Sequence, residues 1–283
     1  MDGTGYSRAS NAPARNHWVI TTMLLAALTL AACAAATKAE AEVIFGQNWS
    51  NIYTATNSFE DPQPLANGVD GNLGDLVSDG RYVYFANNMG NSIGRLRLSD
   101  AQVDPQWLPN AGEPWGVTIH GNYLYWGDFA GETIGRIGIK GKQKGKVKRR
   151  LVKKATNVYD IAVTDKYIFW ANAFGKGIGR TTIDGKKRKA KFVKTAHNPC
   201  TLEIAKKKLY WGVCDGTGGI GRVNLNGKKK KNNWVKNLTV SSLTFHKNHL
   251  YWVGSQYLGK INLKNRSLTS TFVDGASWGI AAR

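Results

Sequence analysis

The feature that most constrains this chain is an internal repeat of about 41 residues. Five segments share one pattern: Tyr82-Val-Tyr-Phe85, Tyr123-Leu-Tyr-Trp126, Tyr167-Ile-Phe-Trp170, Lys208-Leu-Tyr-Trp211 and His249-Leu-Tyr-Trp252. Their final aromatics are spaced 41, 44, 41 and 41 residues apart. A few residues after each comes Ile93-Gly-Arg95, Ile134-Gly-Arg136, Ile178-Gly-Arg180, Ile220-Gly-Arg222 and a degenerate Leu258-Gly-Lys260. A short apolar strand pattern precedes each pair and another follows, which makes four strands per unit, the size of one propeller blade. Stepping back 40 residues from Phe85 reaches Phe45, and the same step from Ile93-Gly-Arg95 reaches Tyr53-Thr-Ala55, which predicts a sixth unit lacking its first strand. Ala276-Ser-Trp278-Gly-Ile280-Ala at the other end reads as that missing strand. The expectation is an all-β, six-bladed β-propeller over residues 43–283, its ring closed by the C-terminal strand.

Residues 1–42 read differently. Arg8 and Arg15 precede an apolar run from Trp18 to Ala32, the layout of an export signal. That run is about 15 residues, short of the roughly 20 that a membrane span needs. Leu30-Ala31-Ala32-Cys33 matches a bacterial lipobox, with Cys33 as the lipidated residue, while Ala39-Glu40-Ala41 offers ordinary signal cleavage instead. The expected location is therefore the cell envelope, lipid-anchored at Cys33, or the exterior. Cys200 and Cys214 bracket a strand–turn–strand segment, so a disulfide across its mouth is expected in an oxidising compartment, with two buried thiols as the other reading.

Tyr125-Trp126-Gly127-Asp128 followed by Ile134-Gly-Arg136 resembles the YWTD repeat of lipoprotein-receptor-type, TolB-like six-bladed propellers. The resemblance covers residues 43–283 and is carried by the repetition of the motif. It implies the fold; propellers of this kind serve as binding modules, scaffolds and, in some cases, enzymes. The family's Asp position is occupied by Asn87, Asp128 and Asn172, then by Val213 and Gly254. Such repeated polar residues are expected to tie the blades together.

A propeller's binding surface forms where the loops around the central channel meet. The residues expected there are Asp75, Trp115, Asp128, Tyr159, Asp160, His197 and Trp278, an aromatic and acidic set suited to a glycan, a cation or a basic peptide. Asp75 and Asp160 would offer oxygen ligands to a divalent ion such as calcium or magnesium, though no cofactor is required by any motif. Six-bladed lactonases and the streptogramin lyase, whose repeats end in a similar Ile-Gly-Arg turn, are the enzymes that the resemblance brings in. The lyase is expected to need a histidine acid/base and a magnesium site, and only His197 is placed near the channel. No catalytic residue is assigned. The expected function is a non-enzymatic, monomeric module binding an envelope protein or glycan.

The chain carries 39 Lys and Arg against 19 Asp and Glu, a formal charge of +20. Three runs, 140–154, 186–194 and 228–236, hold 20 of those basic residues and no acid. They include Lys146, Lys148, Arg149, Arg150, Lys187, Arg188, Lys229 and Lys230. All three fall at the turn between the third and fourth strands of consecutive blades, so the fold gathers them into one basic sector. It is expected either to be a solvated face that discourages edge pairing or to attract an anionic lipid or wall polymer. Nucleic acid is disfavoured, because export removes the protein from it and no exposed aromatics interleave the basic runs.

Overall fold

The computed structural model describes residues 42–56, 58–69 and 72–282. The proposed export signal, the lipobox and Cys33 lie outside these residues. In chain order the strands are β1 (Val43–Gln47), β2 (Asn51–Ala55) and β3 (Gln63–Ala66); β4 (Leu73–Ser78), β5 (Tyr82–Asn87), β6 (Ser92–Arg97) and β7 (Val103–Pro109); β8 (Pro114–His120), β9 (Tyr123–Asp128), β10 (Thr133–Gly138) and β11 (Val147–Lys153). There follow β12 (Val158–Val163), β13 (Tyr167–Asn172), β14 (Gly177–Thr182) and β15 (Lys189–Lys194), then β16 (Thr201–Ala205), β17 (Lys208–Gly212), β18 (Gly219–Asn224) and β19 (Lys231–Lys236). The last are β20 (Ser242–His246), β21 (His249–Gly254), β22 (Tyr257–Asn262), β23 (Leu268–Phe272) and β24 (Ala276–Ala282).

These strands make six four-stranded antiparallel sheets, each a meander from an inner strand to an outer one. The first blade is ordered β24-β1-β2-β3, so the two chain regions share it. Val43 pairs with Ala282, Ile44 with Ala281 and Phe45 with Ile280. The ring is therefore closed by hydrogen bonds rather than by a covalent link, and no blade is left with an open inner edge.

The repeated motif is a packing unit. In five blades the last aromatic of the second strand lies directly opposite the glycine of the third: Phe85–Gly94, Trp126–Gly135, Trp170–Gly179, Trp211–Gly221 and Trp252–Gly259. The ring lies across the glycine, and a Cβ on Gly135 would stand 2.2 Å from the Trp126 indole. No other residue type leaves that room. The indole is thereby held flat in the interface between blades, where Trp126, Trp170 and Trp211 are at most 1% exposed. Four of these glycines also sit where the third and outer strands shift register, so the outer strand bends away there.

The arginine that follows each glycine has its own place. Arg136 lies over Tyr123 at 4.4 Å, Arg180 over Tyr167 at 4.2 Å and over Phe192 at 3.9 Å, and Arg222 over Trp234 at 4.9 Å. Half-buried cation–π contacts of this sort contribute on the order of 1 kcal/mol each.

Blade 1 departs from the uniform step of 40. Phe45 pairs with Tyr53, not with the residue after it, and fully buried Ile52 fills the place of Ile93. The turn between β1 and β2 is one residue shorter than its counterpart in blade 2. Because a one-residue slip turns every side chain to the other face, alignment by constant spacing puts Tyr53 in the wrong position.

Substituting Gly135 by Ala should overpack this contact and lower stability by about 1–3 kcal/mol in urea unfolding. In a Trp126→Leu background the same change should cost markedly less, because the atoms that meet the new methyl are gone.

Candidate functional site

The inner strands converge on a narrow channel. Asp75, Trp115, Tyr159, Asp160, Cys200, Ser241 and Trp278 line a cavity of about 10 Å³, room for roughly one water. Asp75, Trp115, Tyr159, Asp160 and Trp278 are the residues that the sequence reading expected around the channel, and the structure brings these five together. Trp115 and Tyr159 stack with centroids 4.9 Å apart and planes within 12°. Trp278 packs against both at 5.9 Å, and Trp49 against Trp278 at 5.4 Å. Phe129 meets Tyr159 and Phe174, each at 6.0 Å. Six rings thus form a continuous aromatic cover over the channel, and it ends in exposed Trp49 and in Phe174, which is 68% exposed.

Phe129, Phe174 and the exposed Met89 were not singled out from the sequence. Each follows the Asp/Asn position of its repeat by one or two residues, at the tip of a loop that should be polar. Apolar residues recurring at that place are the signal that could have found them.

The two channel aspartates are engaged by the fold. The Asp75 carboxylate accepts from the Ser242 hydroxyl across the ring at 2.6 Å and from the backbone N–H groups of Leu76 and Val117. Asp160 accepts from the N–H of Ile161 and of Leu202, both at 2.6 Å, and from the Thr201 hydroxyl at 3.1 Å. Thr201 in turn accepts from the N–H of Leu243 at 3.1 Å. Blades 2 to 6 are linked through this polar belt. Burial raises the Asp75 carboxyl to about 7, and burial together with the nearby Asp75 charge holds Asp160 well above the usual range. Glu203, lower in the channel, is pushed up to about 8, again chiefly by burial.

Asp128 works differently. Its carboxylate accepts from the N–H groups of Gly131 at 2.9 Å and Glu113 at 3.1 Å and from the Thr133 hydroxyl at 3.3 Å. It closes its own loop and pins the segment arriving from the preceding blade. Asn172 does the same by donating to the Thr156 hydroxyl at 3.1 Å. His197 lies outside the residues that line the channel cavity. Its Nδ1 is 2.9 Å from the Thr217 hydroxyl, which donates at 2.5 Å to Asp215. Cys200 and Cys214 stand side by side with Cα atoms 6.1 Å apart, the separation of a disulfide. Among the described residues, no three His, Cys, Asp or Glu side chains converge as metal ligands.

The basic residues occupy more than the predicted turns. Lys146, Lys187, Arg188, Lys229 and Lys230 precede the outer strands, but Lys148, Arg149 and Arg150 lie within β11, and all eight are exposed. The correction follows from the length of the charge run: it covers 140–154, whereas the turn between β10 and β11 ends at 146, so the later basic residues fall in the strand.

Carboxylates whose protons are held more tightly in the fold than in the unfolded chain favour the fold below the unfolded value, near 4, and lose that advantage as pH rises towards their folded values. The melting temperature of the wild type should therefore fall between about pH 5 and about pH 9, and the Asp75→Asn variant should fall less. Differential scanning fluorimetry across that range measures it.

At the level of sequence, no family model matches this chain and no curated protein matches it. Similar solved structures are found by fold. A chain from the crystal structure of a nidogen/laminin complex has a TM-score of 0.70 at 17% identity, covering 86% of this chain and 98% of that one. A streptogramin B lyase has a TM-score of 0.60 at 19% identity, covering 85% and 83%. A virginiamycin B lyase from Staphylococcus aureus has a TM-score of 0.58 at 20% identity, covering 84% of each. Repeat, ring closure and fold likeness lead to one assignment: the chain is a six-bladed β-propeller, with a repeat that resembles the YWTD type.

Proposed function

We propose that the protein is an exported, membrane-anchored propeller that binds a protein or glycan on its aromatic face without catalysing a reaction, its basic rim favouring an anionic envelope surface. The observation that carries this is the six-ring cover over the channel. Aromatic faces stack on sugar rings or on apolar side chains and bring large contact area at little conformational cost. The space beneath holds about one water, too little for a substrate to enter. The carboxylates below the cover are taken up by hydroxyl and backbone donors. Likeness to the nidogen/laminin chain supports a protein-binding reading, since that propeller was found in a protein complex. A disulfide between Cys200 and Cys214, and lipidation of Cys33, belong to the same reading.

One observation favours a second reading, a channel-mouth enzyme of the streptogramin-lyase or lactonase type. His197, Thr217 and Asp215 form a hydrogen-bonded series at the surface, the Thr217 hydroxyl joining the imidazole to the carboxylate, and two of the fold relatives are lyases. A divalent ion in the channel would be part of that reading.

Three measurements separate these. Trp115→Ala combined with Tyr159→Ala should reduce retention of envelope protein or glycan at least tenfold while leaving cooperative unfolding intact. His197→Ala should leave retention unchanged. Turnover of a streptogramin or lactone that disappears in His197→Ala, with a stoichiometric divalent ion in the purified protein, would overturn the binding reading. Mass spectrometry of the native protein should show a lipidated Cys33 and a gain of two hydrogens on reduction of the Cys200–Cys214 pair.

A further inference from the structure

The outer strands of blades 3, 4 and 5 form one continuous structure. Arg149 donates to the Asn110 carbonyl at 3.0 Å, Arg188 to the Lys154 carbonyl at 3.1 Å and Lys230 to the Lys194 carbonyl at 2.8 Å. In each case a basic residue at the start of one outer strand, or within it, reaches the carbonyl just past or at the end of the preceding blade's outer strand. So β7, β11, β15 and β19 follow one another head to tail around the rim, and a cation bridges each junction. Lys189, Lys191 and Lys194 are exposed along β15, and Lys231 and Lys236 along β19. At the first junction a cavity of about 400 Å³ opens beside Asn91, Asn110, Arg149 and Arg150. The acid bordering it, Asp128, is already occupied by three hydrogen bonds.

Edge protection does not require so dense a belt, since β23 has neither Lys, Arg nor Pro. The outer strands β3, β7 and β23 contain no Lys or Arg; β3 and β7 carry prolines instead, which also block edge pairing. Moreover, the belt opposes like charges. In blade 2 the motif arginine Arg95 faces Asp104 and pairs with it at 3.7 Å. In blades 3, 4 and 5 the same position pairs Arg136 with Lys148, Arg180 with Lys189 and Arg222 with Lys231. Like charges directly across a sheet are destabilising, yet three blades repeat the arrangement. Among the described residues, two acids pair with the basic runs, Asp184 with Lys186 at 3.5 Å and Asp79 with Lys140 at 3.8 Å.

Curvature decides what fits. Three consecutive blades of a six-bladed ring face outward over about 120°, so a flat bilayer touches one blade or two at once. A flexible chain follows all three. The three outer strands at roughly 3.3 Å per residue make a track of about 60 Å. Its lysines suit phosphate as compact point charges, and no exposed aromatic lies in β11, β15 or β19 to stack on a base.

We infer that the belt β11–β15–β19 binds a flexible linear phosphate polymer that wraps the rim across three blades. This deepens the anionic-surface part of the proposed function and leaves the aromatic face aside.

Inorganic polyphosphate of graded length is the probe, with single-stranded DNA of equal charge and anionic phosphatidylglycerol vesicles as comparison arms. Affinity at low salt should rise with chain length until the polymer spans three blades, then level off. Neutralising the middle blade (Lys187→Gln, Arg188→Gln, Lys189→Gln) should reduce the affinity for long chains to that for short ones. It should also lower the slope of log K against log salt by about 2–2.7, at roughly 0.7–0.9 per lost phosphate contact. Lys187→Arg with Lys189→Arg should retain binding, and unchanged unfolding midpoints show that the variants are folded. Affinity that stops rising once one blade is spanned overturns the wrapped polymer. So does tighter binding of DNA than of polyphosphate. Vesicle binding with polyphosphate ignored overturns it too, but preserves the anionic-surface reading; if neither binds, both fall.

Discussion

Five of the six blades depend on a large ring lying flat across a glycine. Each blade presents its neighbour with a face made by the second and third strands. That face can be smooth only if the indole or phenyl group on one strand has nowhere to stand upright. The glycine opposite provides the space, and the bend it permits lets the outer strand follow the rim. The arginine after it covers the outer side of the same strands. Three residues thus serve the blade interior, the blade interface and the surface, which is why the motif recurs where loops and outer strands have diverged.

The architecture was legible because that packing unit is spelled out contiguously and repeated. Five copies of an aromatic pair, four followed by Ile-Gly-Arg and one by Leu-Gly-Lys, leave little freedom about strand number or order, and Ala276–Ala282 matched the missing strand. What was not legible depended on lengths of single turns. Blade 1 lost one residue between β1 and β2, and the constant step then named Tyr53 where Ile52 is buried. The basic run 140–154 outlasts the turn before β11, which ends at 146, so Arg149 and Arg150 belong to a strand. The site shows the same division. Trp115, Tyr159 and Trp278 could be placed because they begin inner strands. Phe129 and Phe174 sit on loop tips, whose course is set by the capping bonds of Asp128 and Asn172. The chemical state of Asp75 and Asp160 was also out of reach, since it follows from which hydroxyls and N–H groups the ring brings within 3 Å.

The two surfaces are built from different parts of the repeat. The aromatic cover uses inner strands and the loops after second strands, whereas the basic belt uses outer strands alone. Substitutions in one leave the other's backbone untouched, because inner and outer strands of a blade never pair. Occupants of the two surfaces can therefore be varied independently, although both are fixed to one rigid ring.

The shared first blade also sets a schedule. Until Ala276–Ala282 is free to lie beside β1, the strand Val43–Gln47 has no inner neighbour, and the apolar faces of the first and last blades stay wet. Non-local pairing of this kind is slow because the chain entropy is lost before the contacts form. A nascent chain still held by the ribosome, or threaded through a narrow pore, remains an open crescent. Only when Ala276–Ala282 pairs with β1 does it become a ring, and Trp278 reaches its place over the channel in that same step. Ring closure and completion of the aromatic face are thus one event.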